Sequence, residues 1–342
     1  MFDIVVVGGG PVGLYTAKLC EDMGYRVLVL EEHEEIGKPP HCSGLISINI
    51  EHFFPDIKEW GVVENEVDSA VIHSPRSEFV LRKKGTAAYV INRERFDRRL
   101  GEMVESEILL GCRARSVVVS KKGAKVNTDK GVFECEMVVG CDGANSIVAK
   151  GLCVRPREII KGLIAIVRKK AHSRMVDLYF DKDRLRDGFF WKIPRGERLE
   201  YGMFGKDVKF EDLEKFFGLK RYERYAGLVP IGPVKKSYFD RILLVGDAAG
   251  QVKPWSGGGV IYGLTCAKIA SEVIEKAFRF NDFSEGLLKE YETRWKARVG
   301  KQIGLGLFLR RILKVSNNLQ LDMLFRAGRF IDFGWMDMDF IF

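Results

Sequence analysis

The chain has 342 residues, which suggests about two domains, and 46% of its residues are hydrophobic and 30% charged. That balance excludes a disordered or fibrous chain and describes a globular protein with a full core. Lys and Arg number 55 against 47 Asp and Glu, a formal charge of +8; this suggests an anionic ligand or surface, but the basic residues are dispersed and form no nucleic-acid-binding arm.

The chain opens with a β-branched run, Phe2 to Val7, followed by Gly8-Gly9-Gly10-Pro11-Val12-Gly13, which fits G-x-G-x-x-G. A helical segment, Leu14 to Met23, ends at Gly24, and a second apolar run, Tyr25 to Leu30, ends at Glu31. Strand, glycine turn, helix, strand and acid together make the βαβ unit that binds the ADP half of a dinucleotide. Gly8 allows the tight turn, Gly10 the approach of a pyrophosphate, and Gly13 close packing of helix on strand. The free N–H groups and dipole of the helix start favour phosphate charge. Glu31 lies about 20 residues past the glycines, where an acid accepts hydrogen bonds from a ribose.

Residues 32–60 read as an irregular stretch containing Gly37, Pro39, Pro40, His41, Cys42, Ser43 and Gly44. Residues 67–82 read as a hairpin turning at Ser74-Pro75-Arg76, and Ala88–Ile91 as a strand. Asn92 caps a predicted helix from Arg93 to Glu107, with Phe96, Leu100, Met103 and Val104 at helical spacing. Three strands are predicted at 115–120, 124–128 and 132–139, the last leading into Gly140-Cys141-Asp142-Gly143-Ala144-Asn145-Ser146. From 159 to 231, apolar runs at 160–168, 175–180, 188–193 and 199–204 alternate with charged turns, and a helix is predicted at 210–218. This is the pattern of an antiparallel sheet. A buried strand at 242–245 precedes Gly246-Asp247-Ala248-Ala249-Gly250, then Pro254, Trp255, Gly257-Gly258-Gly259 and a long helix from Val260 to Phe278. Residues 284–342 read as helices.

The predicted nucleotide domain is therefore split: 1–66, 87–151 and 232–282, with a substrate sheet domain from 67–86 and 152–231 and a helical C-terminal region, 283–342. The seven cysteines include no C-x-x-C; neither a disulfide framework nor structural zinc is expected, and a reducing cytoplasm fits. The five histidines show no ligand spacing, so no metal is expected. The N-terminus enters a core strand directly, so no signal peptide is expected. No apolar run reaches the ~18 residues of a membrane span. Scarce glutamine (Gln251, Gln302, Gln320) beside abundant Lys, Arg and Glu leans towards a thermophile.

Three further motifs carry a resemblance. Gly140 to Ser146 resembles the "DG" segment, and Leu244-Val245-Gly246-Asp247-Ala248-Ala249 the "GD" segment, of flavoproteins built like para-hydroxybenzoate hydroxylase; Arg93 matches the arginine opening their cofactor-contacting helix. By this resemblance the dinucleotide is a permanently bound FAD. The fold class implied is mixed α/β: a split Rossmann-like FAD-binding domain, an inserted antiparallel β-sheet substrate domain and a helical C-terminus. Within that superfamily the chain most resembles the geranylgeranyl reductases, especially the archaeal ones that saturate isoprenoid chains of membrane lipids. Residues 37–44 resemble their cysteine-glycine segment beside the flavin. Gly188-Phe189-Phe190-Trp191-Lys192-Ile193-Pro194 resembles their Y-x-W-x-F-P segment lining the substrate cavity, with Phe189 and Ile193 as departures. Pro254-Trp255-Ser256-Gly257-Gly258-Gly259-Val260 resembles their P-x-x-GGGI segment.

The resemblance implies FAD contacts from Gly8, Gly10, Val12, Gly13, Glu31, Cys42, Ser43, Arg93, Val117, Asp247, Gly258, Gly259 and Val260, and substrate contacts from Phe189, Trp191 and Ile193. Cys42 is the candidate catalytic residue, as proton relay, positioning group or packing. The implied reaction is hydride transfer from reduced flavin to an isolated alkene of a geranylgeranyl chain, in a dry cavity supplied by Phe180, Phe189, Phe190, Trp191 and Phe204. The implied partners are an isoprenoid lipid and an electron donor, which is NAD(P)H, ferredoxin or a quinol. Residues 302–315 are apolar with basic punctuation, and Phe325, Phe330, Phe333, Trp335, Phe340 and Phe342 continue them. Such a segment can lie at a membrane surface or pack on the core, so the expected location is the cytoplasm or its membrane face. Two other readings stay open: an FAD-dependent aromatic hydroxylase or halogenase using oxygen, and a flavoprotein that only carries a prenyl lipid.

Overall fold

Residues Phe2 to Val7 are β-branched enough to favour a buried pleated backbone, and in the computed structural model, described for residues 1–40, 42–331 and 338–339, they form the first strand. In chain order the elements begin β1 (Phe2–Val7), α1 (Pro11–Asp22), β2 (Val27–Leu30), β3 (Leu45–Ser47), β4 (Val63–Val67), β5 (Ser69–His73), β6 (Glu78–Arg82), β7 (Ala88–Ile91) and α2 (Arg93–Met103). There follow β8 (Glu107–Leu109), β9 (Ala114–Ser120), β10 (Gly123–Thr128), β11 (Gly131–Gly140), α3 (Ile147–Gly151), β12 (Glu158–Val167), β13 (Met175–Tyr179), β14 (Phe189–Arg195), β15 (Arg198–Gly205), α4 (Phe210–Phe217) and β16 (Glu223–Ile231). The chain continues through β17 (Tyr238–Phe239), β18 (Ile242–Leu244), α5 (Val260–Phe280), α6 (Glu285–Trp295), α7 (Lys301–Val315) and α8 (Asn318–Gly328).

Two compact units emerge. One comprises residues 1–38, 94–159 and 230–307; the other comprises 39–93, 160–229 and 308–342. Residues 39–66 and 87–93, expected with the nucleotide domain, thus group with the larger sheet, which is not wholly antiparallel as expected, because β5 runs parallel to β13. Their strands β3, β7 and β4 form a small three-stranded sheet in that order.

The first unit is built on an eight-stranded sheet ordered β17-β18-β11-β1-β2-β8, with β10 on β11 and β9 on β10. β1 pairs parallel to both β11 and β2, and Ile4 to Val7 are almost wholly buried. α1 packs on α5 because Gly246 and Gly263 leave room for the Val12 methyls, whose carbons lie 3.1 and 2.4 Å from where Cβ atoms would stand.

The second unit contains a seven-stranded sheet, β16-β12-β15-β14-β13-β5-β6. Strand alternation divides its side chains. Phe190, Met203 and Leu163 pack with Leu213, Phe216 and Phe217 of α4 on one face. At the β5–β6 end, Ile72, Leu178 and Phe180 pack with Leu321 and Phe325 of α8.

The expected hairpin is present as β5 and β6, closed by Ser74 N–H donating to Ser77 O at 2.8 Å. The helix expected to Glu107 stops at Met103. Glu105 and Ser106 N–H groups instead donate to the Glu21 carboxylate, and the chain turns into β8, a three-residue edge strand beside β2. β3 was hidden in the stretch read as irregular. Among the described residues no helix is long and apolar enough to cross a membrane.

Candidate functional site

The dinucleotide cradle in the first unit is built from backbone. Gly8 has φ +108°, and a Cβ there would lie 2.5 Å from Cys141 O; a Cβ on Gly13 would lie 1.9 Å from Gly8 O. Only glycine satisfies both contacts. Gly10, the residue before α1, has nothing within 4 Å of its Cβ position. α1 starts on Pro11 with no side-chain cap and no acid in its first turn, so its N–H groups are left for an anion. Gly9 N–H donates to Glu31 Oε2 at 2.7 Å, and His33 N–H donates to Oε1 at 2.9 Å. The carboxylate is thereby fixed at the end of β2. These features fit the ADP half of FAD.

The same unit carries a second glycine-lined helix start. Gly246 and Gly250 both have positive φ, and Gln251 Oε1 accepts from Gly246 N–H at 2.8 Å while its amide donates to Tyr291 at 2.9 Å. That network places Asp247 under α5. A Cβ on Gly259 would stand 2.7 Å from Asp247 Oδ1. α5 begins at Val260, again without side-chain cap or acid in its first turn. Lys253 N–H donates to Gly258 O at 3.1 Å and closes the 253–258 turn. A bare helix start beneath three glycines fits a flat ring that gains negative charge on reduction. Asp142 has another role. Its carboxylate accepts from Ser146 Oγ and from Ile147 and Val148 N–H, ordering the turn into α3, and burial pushes that carboxyl up.

Val12 is brought to this place by α1, but its side chain fills the α1–α5 contact. Val117 lies on β9, where it pairs with Val126 in the β9–β10 hairpin and packs against the unit's core. Beside Glu31, Leu109 O accepts from Glu31 N–H, and Cys112 N–H donates to Glu31 O.

In the second unit, β3 and β7 bring Cys42, Ser43, Gly44 and Arg93 together. Ile91 N–H donates to Gly44 O at 2.9 Å. Gly44 has φ +70°, and a Cβ there would lie 2.2 Å from Ile91 O and 3.5 Å from Arg93 Cγ. Cys42 is exposed, with its Sγ accepting from Gly44 N–H at 3.4 Å. His41 lies outside the described residues.

Phe189, Trp191, Ile193 and Arg195 alternate onto one face of β14. Phe189 packs at 5.4 Å from Phe180, 5.9 Å from Trp191 and 5.2 Å from Phe204. Phe190, expected in the same cavity, points to the other face, where it stacks on Phe216 at 3.9 Å; one residue of register decides this. Trp191 lies over Gly202, whose Cβ would stand 2.1 Å from the indole. Its Nε1 donates to Glu200 Oε1 at 2.7 Å.

Sequence reasoning missed the group that joins these parts. Arg195 is 8% exposed. It donates to Glu200 Oε2 at 2.8 Å, to Glu64 Oε2 at 2.7 Å, to Ile91 O at 2.9 Å and to Ser43 O. One guanidinium therefore fastens the Cys42-Ser43-Gly44 segment to the aromatic face. Burial pushes the Glu200 carboxyl up, against the opposing pull of Arg195. The available signal was the Pro194-Arg195-Gly196 sequence at a strand end, where an arginine reads as ordinary surface. Among the described residues no cluster of three or more His, Cys, Asp or Glu could hold a metal ion.

Known proteins resemble this chain in sequence and in fold. Residues 1–185 match the FAD binding domain family. The chain is 32% identical to digeranylgeranylglycerophospholipid reductase 2 of Methanopyrus kandleri, over 95% of this chain and 90% of that protein. It is 29% identical to the digeranylgeranylglycerophospholipid reductase of Methanocaldococcus jannaschii, over 96% and 90%. A crystal structure of a geranylgeranyl bacteriochlorophyll reductase-like protein from Thermoplasma acidophilum superposes with TM-score 0.91 at 23% identity, covering 98% of this chain and 94% of that one, and shows the same fold. This chain is an FAD-binding protein of the digeranylgeranylglycerophospholipid reductase family.

Proposed function

We propose that this protein saturates isolated C=C bonds in the geranylgeranyl chains of membrane-lipid precursors. The observation that carries the reading is the aromatic face of β14 and β15, which Arg195 fastens at one end to the Cys42 segment. Phe180, Phe189, Trp191 and Phe204 offer a prenyl chain an apolar bed that excludes water. Bound FAD, once reduced, supplies the hydride. Glu31 and the α1 start hold its ADP half, and Asp247 and the α5 start serve the ring end. Cys42, on the segment that Arg195 holds, serves in this reading as the group that positions the alkene or relays the proton completing saturation. Phe189, Trp191 and Ile193 are the substrate contacts.

The substrate is a lipid, and the C-terminal helices suit a lipid surface. Leu305, Phe308, Leu309 and Ile312 of α7 and Leu319, Met323 and Leu324 of α8 are exposed, with Arg311, Lys314, Arg326 and Arg329 in the same segment. Apolar side chains punctuated by cations dock on anionic membranes. Phe333, Trp335, Phe340 and Phe342 lie outside the described residues. Electrons come from a redox donor, which is NAD(P)H, a ferredoxin or a quinol; the one that bleaches the flavin anaerobically is the donor.

Dithionite-reduced FAD protein, kept anaerobic, should regain its yellow colour when mixed with vesicles of geranylgeranyl phospholipid, and stay bleached with the saturated lipid. Reoxidation by oxygen alone, with neither lipid active, would overturn the reading in favour of oxygen chemistry.

A further inference from the structure

Two cations, Arg310 and Lys314, meet the Asp187 carboxylate at the opposite end of the aromatic face from Cys42, and a third, Lys182, stands close by. Arg195 and Phe189 sit at the two ends of β14, about 20 Å apart at strand rise. At the Phe189 end, Phe204 carries the guanidinium of Arg310 over its ring, 5.2 Å from the centroid. Arg310 is 11% exposed and lies 2.9 Å from Asp187 Oδ1. Among the described residues, buried Arg310 Nη2 has this ion pair but no hydrogen bond. Lys314, one turn further along α7, reaches Asp187 Oδ2 at 3.0 Å. Lys182 stands in the same turn as Asp187. Its ammonium donates to Arg186 O at 3.1 Å, and burial and the Arg310 charge both push its pKa down, against Asp187. Asp181, in the same turn, is engaged by Arg184 at 3.5 Å and by the Asn318 amide.

Among the described residues, two positive groups therefore share the Asp187 carboxylate in a partly buried place, with the Lys182 charge beside them. Such an excess is costly without a counter-anion, and an unsatisfied guanidinium N–H is a donor awaiting an acceptor. A phosphate suits an arginine fork flanked by lysines. Its location adds the second argument: the face between this cluster and Cys42 is hydrocarbon-lined over a length comparable to an extended geranylgeranyl chain.

We propose that Lys182, Arg310 and Lys314 form an anion subsite for the phosphate of the prenyl lipid, holding it at the Phe204 end so that its alkenes extend along β14 towards Cys42. The proposal rests on the lipid-reductase reading and adds how the lipid is oriented.

The test compares two lipids with identical geranylgeranyl chains in detergent micelles, one ending in a phosphate ester and the other in a free hydroxyl. Binding to the FAD-loaded protein is read by tryptophan fluorescence, independently of turnover. The wild type should prefer the phosphate lipid by about tenfold or more, and Arg310→Met should reduce that preference by about tenfold. Lys314→Met removes a half-exposed group and folds even where Arg310→Met does not; it should narrow the preference several-fold, while Lys289→Met leaves it intact. An unchanged preference in both variants overturns the subsite. A preference that behaves as expected without any lipid reduction supports the subsite and overturns the reductase reading alone. Inorganic phosphate should displace the phosphate lipid only weakly; if it binds as tightly as the lipid, the cluster serves a free anion and the lipid assignment falls.

Discussion

Trp191 donates its indole N–H to Glu200 across 2.7 Å, and the other oxygen of that carboxylate accepts from Arg195. The aromatic wall and the anchor of the Cys42 segment therefore share one buried acid. Glu200→Ala leaves Arg195 with the Glu64 carboxylate and two backbone oxygens, and strips Trp191 of its acceptor. Removing one partner of a buried pair costs about 3–5 kcal/mol. Urea denaturation should show a loss of that size, and a smaller one for Glu200→Gln, which keeps an acceptor for the indole. A loss below about 1 kcal/mol for Glu200→Ala, the net worth of an ordinary hydrogen bond, contradicts the shared-anchor account.

Gly202→Ala places a methyl 2.1 Å from the Trp191 ring. Overpacking of this kind costs about 1–3 kcal/mol. The indole should tilt off its seat, with KM for the lipid rising more than kcat falls. An unchanged KM would show that Trp191 does not line the substrate path.

The cysteines should separate by environment. Burial pushes the Cys20 and Cys135 thiols up to about 12, and Cys266 higher, so at pH 8 they stay protonated and unreactive. Cys42 and Cys153 are exposed. Peptide-resolved alkylation of the folded protein should label Cys42 and Cys153 first, and bound FAD with prenyl lipid should protect Cys42 selectively. Equal protection of both would count against a site at Cys42.

Acid stability of the sheet unit depends in part on Glu66 and Asp68. Hydrogen bonds from Thr86 to Glu66 and from Ser69 to Asp68, with help from Arg174, hold both carboxyls below their usual range. A depressed carboxyl contributes stability above its unfolded pKa, about 3.9 for Asp and 4.3 for Glu. That contribution is lost as pH falls through the lower folded value. Arg174→Met should therefore flatten the decline in Tm between pH 5 and pH 3. These groups are near the surface, so the change is small and shrinks in high salt. An identical decline would assign acid lability elsewhere.

The parts of the site legible in the sequence are those whose meaning is local. The Gly8–Gly13 turn, Glu31, the Asp142-Gly143 and Gly246-Asp247 turns and the start of α5 each follow from a few adjacent residues with one backbone solution. Period-two alternation also separates Phe190 from Phe189 and Trp191, yet a run of three aromatics reads as one cavity wall unless the register is applied. Arg195 was not legible because its partners, Ser43, Glu64 and Ile91, meet it only through the pairing of remote strands. The same holds for Arg310 and Asp187, which lie on different elements and read separately as ordinary surface charge. β8 is three residues long, too short for its own periodicity to show, and only the Glu21 carboxylate reveals where α2 must stop.

The most direct test of the central claim is the mass of the lipid product. FAD-loaded protein with a continuous supply of reductant should convert a geranylgeranyl phospholipid into species heavier by successive pairs of hydrogen atoms, with deuterium entering the chains when the reductant or solvent is labelled. A product heavier by oxygen or halogen, or tightly bound lipid recovered unchanged, contradicts it.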